Sequence, residues 1–303
     1  MRFLSDYCEV HFPALGWSLD VYENFLEIPF GGDTITIKFY GVIIAFGFIL
    51  AALFGGRKAY VWKMSLDSMV DVLIYGIIGA VVGARLYYVI FQWDAYKDNL
   101  LSIFKIWEGG LAIYGGIIGG LITAYFVAKK TKLPFLKLLD LIGMALPIGQ
   151  GIGRWGNFTN QEAFGINTTS LFGMTSDKIV DYINSHQQEF LQNGIEMNPD
   201  LPVHPTFLYE SVWCLLGFLV LYIVCQKFHK FDGQLILGYG IIYGLERMVV
   251  EGLRIDSLYI GDTNLRVSQL VSLALAVVCT AITIYKFAKL NKDKKKLGVQ
   301  ENV

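Results

Sequence analysis

Apolar runs of about 20 residues recur along this chain, and each is long enough to cross a hydrocarbon layer about 30 Å thick as a single helix. A chain with that pattern has few options. Inside lipid every backbone N–H and C=O must find its partner within the chain, which leaves helices or closed barrels. Continuous apolar runs of this length select helices. Composition agrees: 54% of the 303 residues are hydrophobic and 17% are charged, where a soluble domain carries roughly 25% charged residues. The mean hydropathy is +0.48.

About seven spans are predicted, near residues 37–56, 68–91, 111–128, 136–152, 207–226, 233–250 and 267–287. The expected fold class is therefore all-α, a polytopic transmembrane helical bundle. Basic residues alternate between the connections. Arg57, Lys58 and Lys63 come after the first span, Lys129, Lys130, Lys132 and Lys137 after the third, and Lys227 and Lys230 after the fifth; lysines from Lys286 to Lys296 close the chain. The opposite connections are mainly acidic, with Asp94, Asp98 and Glu108 and then Asp177, Asp181, Glu189, Glu196 and Asp200. The positive-inside rule then places the amino-terminus outside and the carboxy-terminus in the cytoplasm.

Three regions result. Residues 1–36 form an extracytoplasmic segment, mixed polar and aromatic, without the basic start and apolar centre of a cleavable signal. Residues 37–287 form a transmembrane domain that includes an extracytoplasmic loop, 158–206, and residues 288–303 form a cytoplasmic basic tail. In the loop, Ser176 is placed to cap a short helix whose apolar face holds Ile179, Val180, Ile183 and Phe190, and Pro199, Pro202 and Pro205 break the chain before the fifth span. The net charge of −1 sums over both sides of a membrane and says nothing of partners. Cys8, Cys214, Cys225 and Cys279 have no spacing that suits zinc or a disulfide framework.

Charge inside an apolar span costs roughly 2.5–3.5 kcal/mol on insertion scales, so an intramembrane arginine faces the bundle interior and marks function. Three qualify: Arg85 late in the second span, Arg154 at the outer end of the fourth, and Arg247 late in the sixth. All three fall in the outer half by this topology, where one cavity can collect them. In the sixth span Tyr243, Arg247, Glu251 and Arg254 recur at helical spacing and form one polar stripe, with Arg247 and Glu251 positioned to pair. Glu246 lies on another face.

The densest chemistry is the run Gly153-Arg154-Trp-Gly-Asn157-Phe-Thr-Asn160-Gln-Glu162-Ala-Phe-Gly165. Pro147 is expected to kink the fourth span, and Gly149, Gly151, Gly153 and Gly156 to loosen the backbone beyond it. Arg154 offers a guanidinium fork that fits phosphate oxygens bidentately; Asn157 and Asn160 add amides and Glu162 a carboxylate. Glycines four apart, such as Gly79 and Gly83 or Gly115 and Gly119, predict close helix contacts. Tyr114 stands between glycine pairs in Trp107-Glu-Gly-Gly-Leu-Ala-Ile-Tyr114-Gly-Gly, a place for an interfacial aromatic anchor.

With these residues in view, the sequence resembles the bacterial prolipoprotein diacylglyceryl transferase family. The arginine–asparagine–glutamate run looks like that family's defining motif. Further matches come in order along the chain: Phe39-Tyr40-Gly41, Gly83-Ala-Arg85, Trp107-Glu-Gly-Gly, His204-Pro205-Thr-Phe-Leu-Tyr209-Glu210, and Tyr243-Gly-Leu-Glu-Arg247 with Glu251. The resemblance implies a multi-pass protein of the bacterial cytoplasmic membrane with its active site toward the extracytoplasmic side. It also implies transfer of the diacylglyceryl group of phosphatidylglycerol to the lipobox cysteine of a prolipoprotein signal peptide. A thioether forms and glycerol phosphate leaves, without metal, cofactor or nucleic acid. By the same resemblance Arg154, Arg247, Glu251, Tyr40 and Tyr114 are catalytic candidates. Arg154, Asn157, Asn160, Glu162, Gly165, Arg85 and Tyr243 are candidates for holding the lipid.

One departure stands out. Many members carry histidine where this chain has Tyr114, and tyrosine, with an ordinary pKa of about 10, is a poorer base near neutrality. The proton acceptor then lies elsewhere, or the chain is a weakly active divergent paralogue or a scaffold. His204 is as well placed to brace the outer loop as to react. A transporter of anionic solutes is the alternative from another class; the missing inverted repeat and the confinement of the arginines to the outer half weigh against it.

Overall fold

The computed structural model describes residues 2–31, 33–255 and 266–300; the last three residues of the basic tail lie outside the described residues. Two compact units are present, one of Phe54–Leu141 and one of Met1–Leu53 with Ile142–Val303.

Helices dominate, and their surfaces are those of a membrane protein. Five of them are long and apolar enough to cross a bilayer: α1 (Phe39–Val61), α2 (Leu66–Phe91), α5 (Phe135–Asn160), α8 (Thr206–Lys227) and the Val267–Lys294 part of α10 (Val267–Gln300). Their large apolar side chains point outward; on α1 alone Ile44, Phe46, Phe48, Ile49 and Leu53 are exposed. In water such a surface would drive aggregation; in lipid it is the natural solvent-facing side. The remaining two expected spans are helices of 18 residues each, α4 (Ile113–Lys130) and α9 (Gln234–Glu251). Glycine dilutes α4, and Glu246, Arg247 and Glu251 interrupt α9.

The unit of Phe54–Leu141 is organised by glycine. On α2, Gly79 and Gly83 meet Gly115 and Gly119 of α4 backbone to backbone: a Cβ on Gly83 would lie 2.8 Å from the Gly119 Cα, and one on Gly119 would lie 2.9 Å from the Gly83 Cα. Beyond α2 come α3 (Trp93–Tyr96) and two 3-10 turns, Leu100–Phe104 and Ile106–Glu108. Arg85 of α2 holds this segment. Its guanidinium donates to the carbonyls of Ser102 (2.8 Å), Ile103 (2.7 Å), Lys105 (3.3 Å), Gly109 (2.7 Å) and Gly110 (3.0 Å). Gly109 and Gly110 both have positive φ, +89° and +74°, which turns their carbonyls toward the arginine at little steric cost.

In the other unit the expectation of an all-α chain needs correction. Its amino-terminal segment is a three-stranded antiparallel sheet in the order β1 (Arg2–Phe12), β2 (Trp17–Phe30), β3 (Asp33–Lys38). Phe12 pairs with Trp17 and Val10 with Leu19 across a turn that closes with Gly16 at φ +67°. Aromatic and β-branched residues favour the pleated surface, and only part of one face is buried, so the strands show no clean alternation. Val10, Phe12 and Val21 join Phe158, Phe164, Met174, Ile179, Ile183, Phe190 and Phe207 in one core. The outer loop thus folds against the sheet. Within it Ser176 caps α6 (Asp177–Ser185), accepting from the Ile179 N–H at 3.3 Å, and α7 (Gln187–Gln192) buries Phe190. His11 and Thr175 exchange backbone hydrogen bonds of 2.8 and 2.9 Å.

A second correction concerns the end of α5, which continues past its expected end at 152 to Asn160, and the glycines along it serve close approach. A Cβ on Gly151 would crowd Cys214, Leu215 and the Ser211 carbonyl at 3.3 Å each, and one on Gly156 would meet the Tyr40 ring at 2.9 Å.

Two measurements check this packing. Gly83→Val should lower folding stability by about 1–3 kcal/mol, the usual penalty of overpacking, read as a lower thermal midpoint in detergent. Gly116→Ala, whose Cβ would meet Ala80 and Ala84 at 3.5 and 3.6 Å, should shift it by less than about 0.5 kcal/mol; equal midpoints would count against the glycine contact. Acid should loosen the sheet from α6. Glu23 of β2 is held below the ordinary glutamate range by hydrogen-bonded Lys178 of α6 and then by Lys38 at 2.6 Å. A depressed carboxylate contributes stability above the ordinary glutamate pKa and loses it as pH falls through the depressed one. Hydrogen exchange at the His11–Thr175 pair should therefore accelerate at the acid end in wild type, and Glu23→Gln should abolish that dependence.

Candidate active site

Arg154, Asn157 and Asn160 all stand on the last two turns of α5. Asn157 donates through Nδ2 to Glu162 Oε1 at 2.8 Å, and the Glu162 N–H returns to the Asn157 carbonyl at 3.1 Å. Helix α5 ends there: Gln161 and Ala163 take positive φ, +55° and +56°. Gln161 is fixed in that conformation by donating to the Phe158 carbonyl and accepting from Ser176 Oγ at 3.0 Å. The turn that carries the motif is thus tied to the cap of α6.

At the centre lies Glu210, one turn into α8 and 1% exposed. Three guanidinium groups converge on it. Arg154 Nε pairs with Oε2, while Arg247 Nη1 and Arg254 Nη1 each lie 3.4 Å from Oε1. Arg247 also reaches Glu251 through Nη2 at 2.6 Å. Helix α9 ends at Glu251, so Arg254 belongs to the segment after the helix and still turns back to Glu210. Three cations around two paired carboxylates repel a metal ion and suit an anion.

Gly165 explains how the motif and Arg254 stay together. Its N–H donates to the His204 carbonyl at 2.9 Å, the next N–H (Ile166) donates to the Leu253 carbonyl at 2.8 Å, and Gly165 bridges to Arg254. A Cβ at 165 would strike His204 Cβ and the Leu253 carbonyl, both at 2.9 Å. His204 braces the same junction, with Nδ1 at 3.1 Å from the Tyr209 hydroxyl. Burial holds this imidazole below its ordinary pKa, because desolvation disfavours the charged form.

Tyr40 packs its ring on Gly156, two residues from Arg154. Tyr243 stacks on Tyr239 at 5.7 Å between ring centroids and 21° between planes. Asn160 Oδ1 is buried without a hydrogen-bond partner. So of the expected site residues Arg154, Arg247 and Glu251 share one charged cluster, with Asn157, Asn160, Glu162, Gly165 and Tyr40 on its α5 side and Tyr243 on its α9 side. Arg85 and Tyr114 belong to the Phe54–Leu141 unit; Tyr114 is half exposed at the start of α4. Sequence reasoning left Glu210 and Arg254 off the site. The signal for Glu210 was present: it is the lone carboxylate in the apolar run from 207 to 226, and such a group needs a cation.

With this geometry fixed, comparison with known proteins is decisive. Residues 28–285 match the family described as prolipoprotein diacylglyceryl transferase. The chain belongs to the prolipoprotein diacylglyceryl transferase family. Among its relatives named phosphatidylglycerol–prolipoprotein diacylglyceryl transferase, that of Listeria innocua is 44% identical over 258 residues, 85% of this chain and 88% of the relative. That of Finegoldia magna is 44% identical over 270 residues, 89% and 99% of the two chains. That of Halalkalibacterium halodurans is 41% identical over 256 residues, 84% of each. As a prolipoprotein diacylglyceryl transferase by family, the chain is a transferase, and the family match spans every site residue from Tyr40 to Arg254.

Removing Glu210 should strand three guanidinium groups. Glu210→Ala is expected to destabilise the fold by about 3–5 kcal/mol, the penalty for breaking a buried ion pair, seen as a lower unfolding midpoint. Glu162→Ala, an exposed member of the same motif, should cost about 1 kcal/mol or less. Equal midpoints for the two would remove Glu210 from the centre of the site.

Proposed function

We propose that this chain transfers the diacylglyceryl group of phosphatidylglycerol to the thiol of a prolipoprotein's lipobox cysteine. Sulfur attacks the glyceryl carbon, the carbon–oxygen bond to phosphate breaks, and glycerol phosphate departs with the electron pair. The thiol proton must go to an acceptor, since the thiolate is the nucleophile.

One observation carries this reading. Arg154 gives only its Nε to Glu210, and among the described residues its Nη1 and Nη2 have no protein partner. A fork held rigidly by a buried carboxylate, with its outer edge open, is preorganised for two phosphate oxygens. Arg247 stands beside it on the same glutamate. As charge moves onto the leaving phosphate, both guanidinium groups strengthen their hold, and that difference is what accelerates a reaction. Asn157, Asn160 and Glu162 shape the phosphate side, Gly165 keeps it joined to Arg254, and Tyr40 and Tyr243 line the cavity. Glu251 keeps Arg247 in place. Arg85, saturated by carbonyls, acts by holding the segment that leads into α4, the helix on which Tyr114 stands.

The alternation of basic and acidic connections supports seven spans with the amino-terminus outside. On that reading the sheet and the 158–206 loop lie outside the bacterial cytoplasmic membrane, spans occupy 37–287, and the tail 288–303 meets anionic headgroups within. Arg154 then opens to the outer leaflet, where a signal peptide presents its cysteine; nucleic acid has no role.

The test is thioether formation between phosphatidylglycerol and a lipobox peptide in mixed micelles. Arg154→Ala should lower turnover by about 100-fold or more, the scale of losing a preorganised charge contact. Arg154→Lys should restore little, because an ammonium lacks the fork. Wild-type turnover in Arg154→Ala would defeat the phosphate assignment.

A further inference from the structure

Glu246 stands apart from the other acids of the site. It is 2% exposed, its Oε1 has no hydrogen-bond partner, and it forms no ion pair among the described residues. An ionisable group so deep in a transmembrane helix needs a purpose. It lines a small hollow together with Gln150, Cys214, Tyr239 and Tyr243. Tyr239 is committed, donating to Gln150 Oε1 at 3.0 Å, which leaves the carboxylate as the open acceptor on that wall. Tyr243 joins the hollow to the charged cluster: it interacts electrostatically with Arg247, Glu246, Arg154 and Glu210.

Charge points the same way. Glu246 lies within electrostatic reach of Glu210, Arg154, Arg247 and Arg254. Three guanidinium groups face three carboxylates, Glu210, Glu246 and Glu251, so these six side chains sum to zero when all are ionised. Of these three carboxylates, Glu210 and Glu251 are already engaged by arginine. Glu246 is the one available.

Building on the transferase reading above, we propose that Glu246 is the proton acceptor for the attacking cysteine. The thiol proton passes to Oε1 as sulfur bonds to the glyceryl carbon and the carbon–oxygen bond breaks. Glu246 ends neutral, the thioether is neutral, and glycerol phosphate leaves as the dianion, so charge and atoms balance. The proton later leaves with the product or to water, which resets the carboxylate. Besides the groups named, Cys214 of α8 borders the hollow and Cys279 of α10 packs on Gly240 of α9; α10 brings no charge to this face among the contacts seen.

The experiment uses the full chain in phosphatidylglycerol micelles with two lipobox peptides, one carrying cysteine and one selenocysteine. A selenol is ionised at neutral pH and needs no acceptor. With the cysteine peptide, Glu246→Gln should lower kcat by about 100-fold or more, leave KM for the lipid unchanged, and erase the acid limb of the rate–pH profile; Glu246→Asp should recover part of the rate. With the selenocysteine peptide, Glu246→Gln should come within a few-fold of wild type. Wild-type turnover of the cysteine peptide by Glu246→Gln overturns the assignment. So does an equal deficit with both peptides, which would make Glu246 a structural group. Wild type that forms no thioether or selenoether at all would instead sink the transferase reading, and this inference with it.

Discussion

A single buried carboxylate holds the site together. Glu210 draws in guanidinium groups from the end of α5, from α9 and from the segment after α9, while it sits on α8 itself. Either sign is costly alone at that depth. An unpaired carboxylate carries a desolvation penalty of several kcal/mol, and each intramembrane arginine a penalty of roughly 2.5–3.5 kcal/mol. Only convergence removes both. The packing of α8 against α9 and the path of the chain after Glu251 therefore depend on charge as much as on apolar contact. One guanidinium edge stays open as a result, because a single carboxylate has too few lone pairs to saturate three arginines.

Much of this was legible in the chain. Uninterrupted apolar runs located α2 and α8 to within two residues, since a bilayer imposes its own length. The Arg247–Glu251 pair came from helical spacing, and Ser176 from capping chemistry. The failures have physical causes. Strands β1 and β2 are half exposed and rich in aromatics, so their period of two is blurred. Helix α5 outruns its expected end, because glycine usually lowers helix propensity and its glycines instead admit Tyr40, Ser211 and Cys214 against the backbone.

Glycine settles a second matter. Lipid gives no hydrophobic drive for helices to associate, so their contacts must be close and matched in shape. Along α2 and α4 that closeness is backbone on backbone. Along α9, Gly240 and Gly244 let α10 approach closely through Cys279 and Ala276.

The contrast between Arg85 and Arg154 shows where sequence reasoning stops and why. Both are arginines in apolar helices, each expected to help hold the lipid. Arg85 donates to five carbonyls of one segment, and backbone carbonyls have no signature in a sequence. Its charge is dispersed over dipoles, and no donor edge remains for a ligand. Arg154 is held by one carboxylate at one nitrogen, which fixes its direction and leaves its fork unfilled. An intramembrane arginine is therefore a marker of constraint first. Whether it binds depends on how many of its five donors the fold has already used.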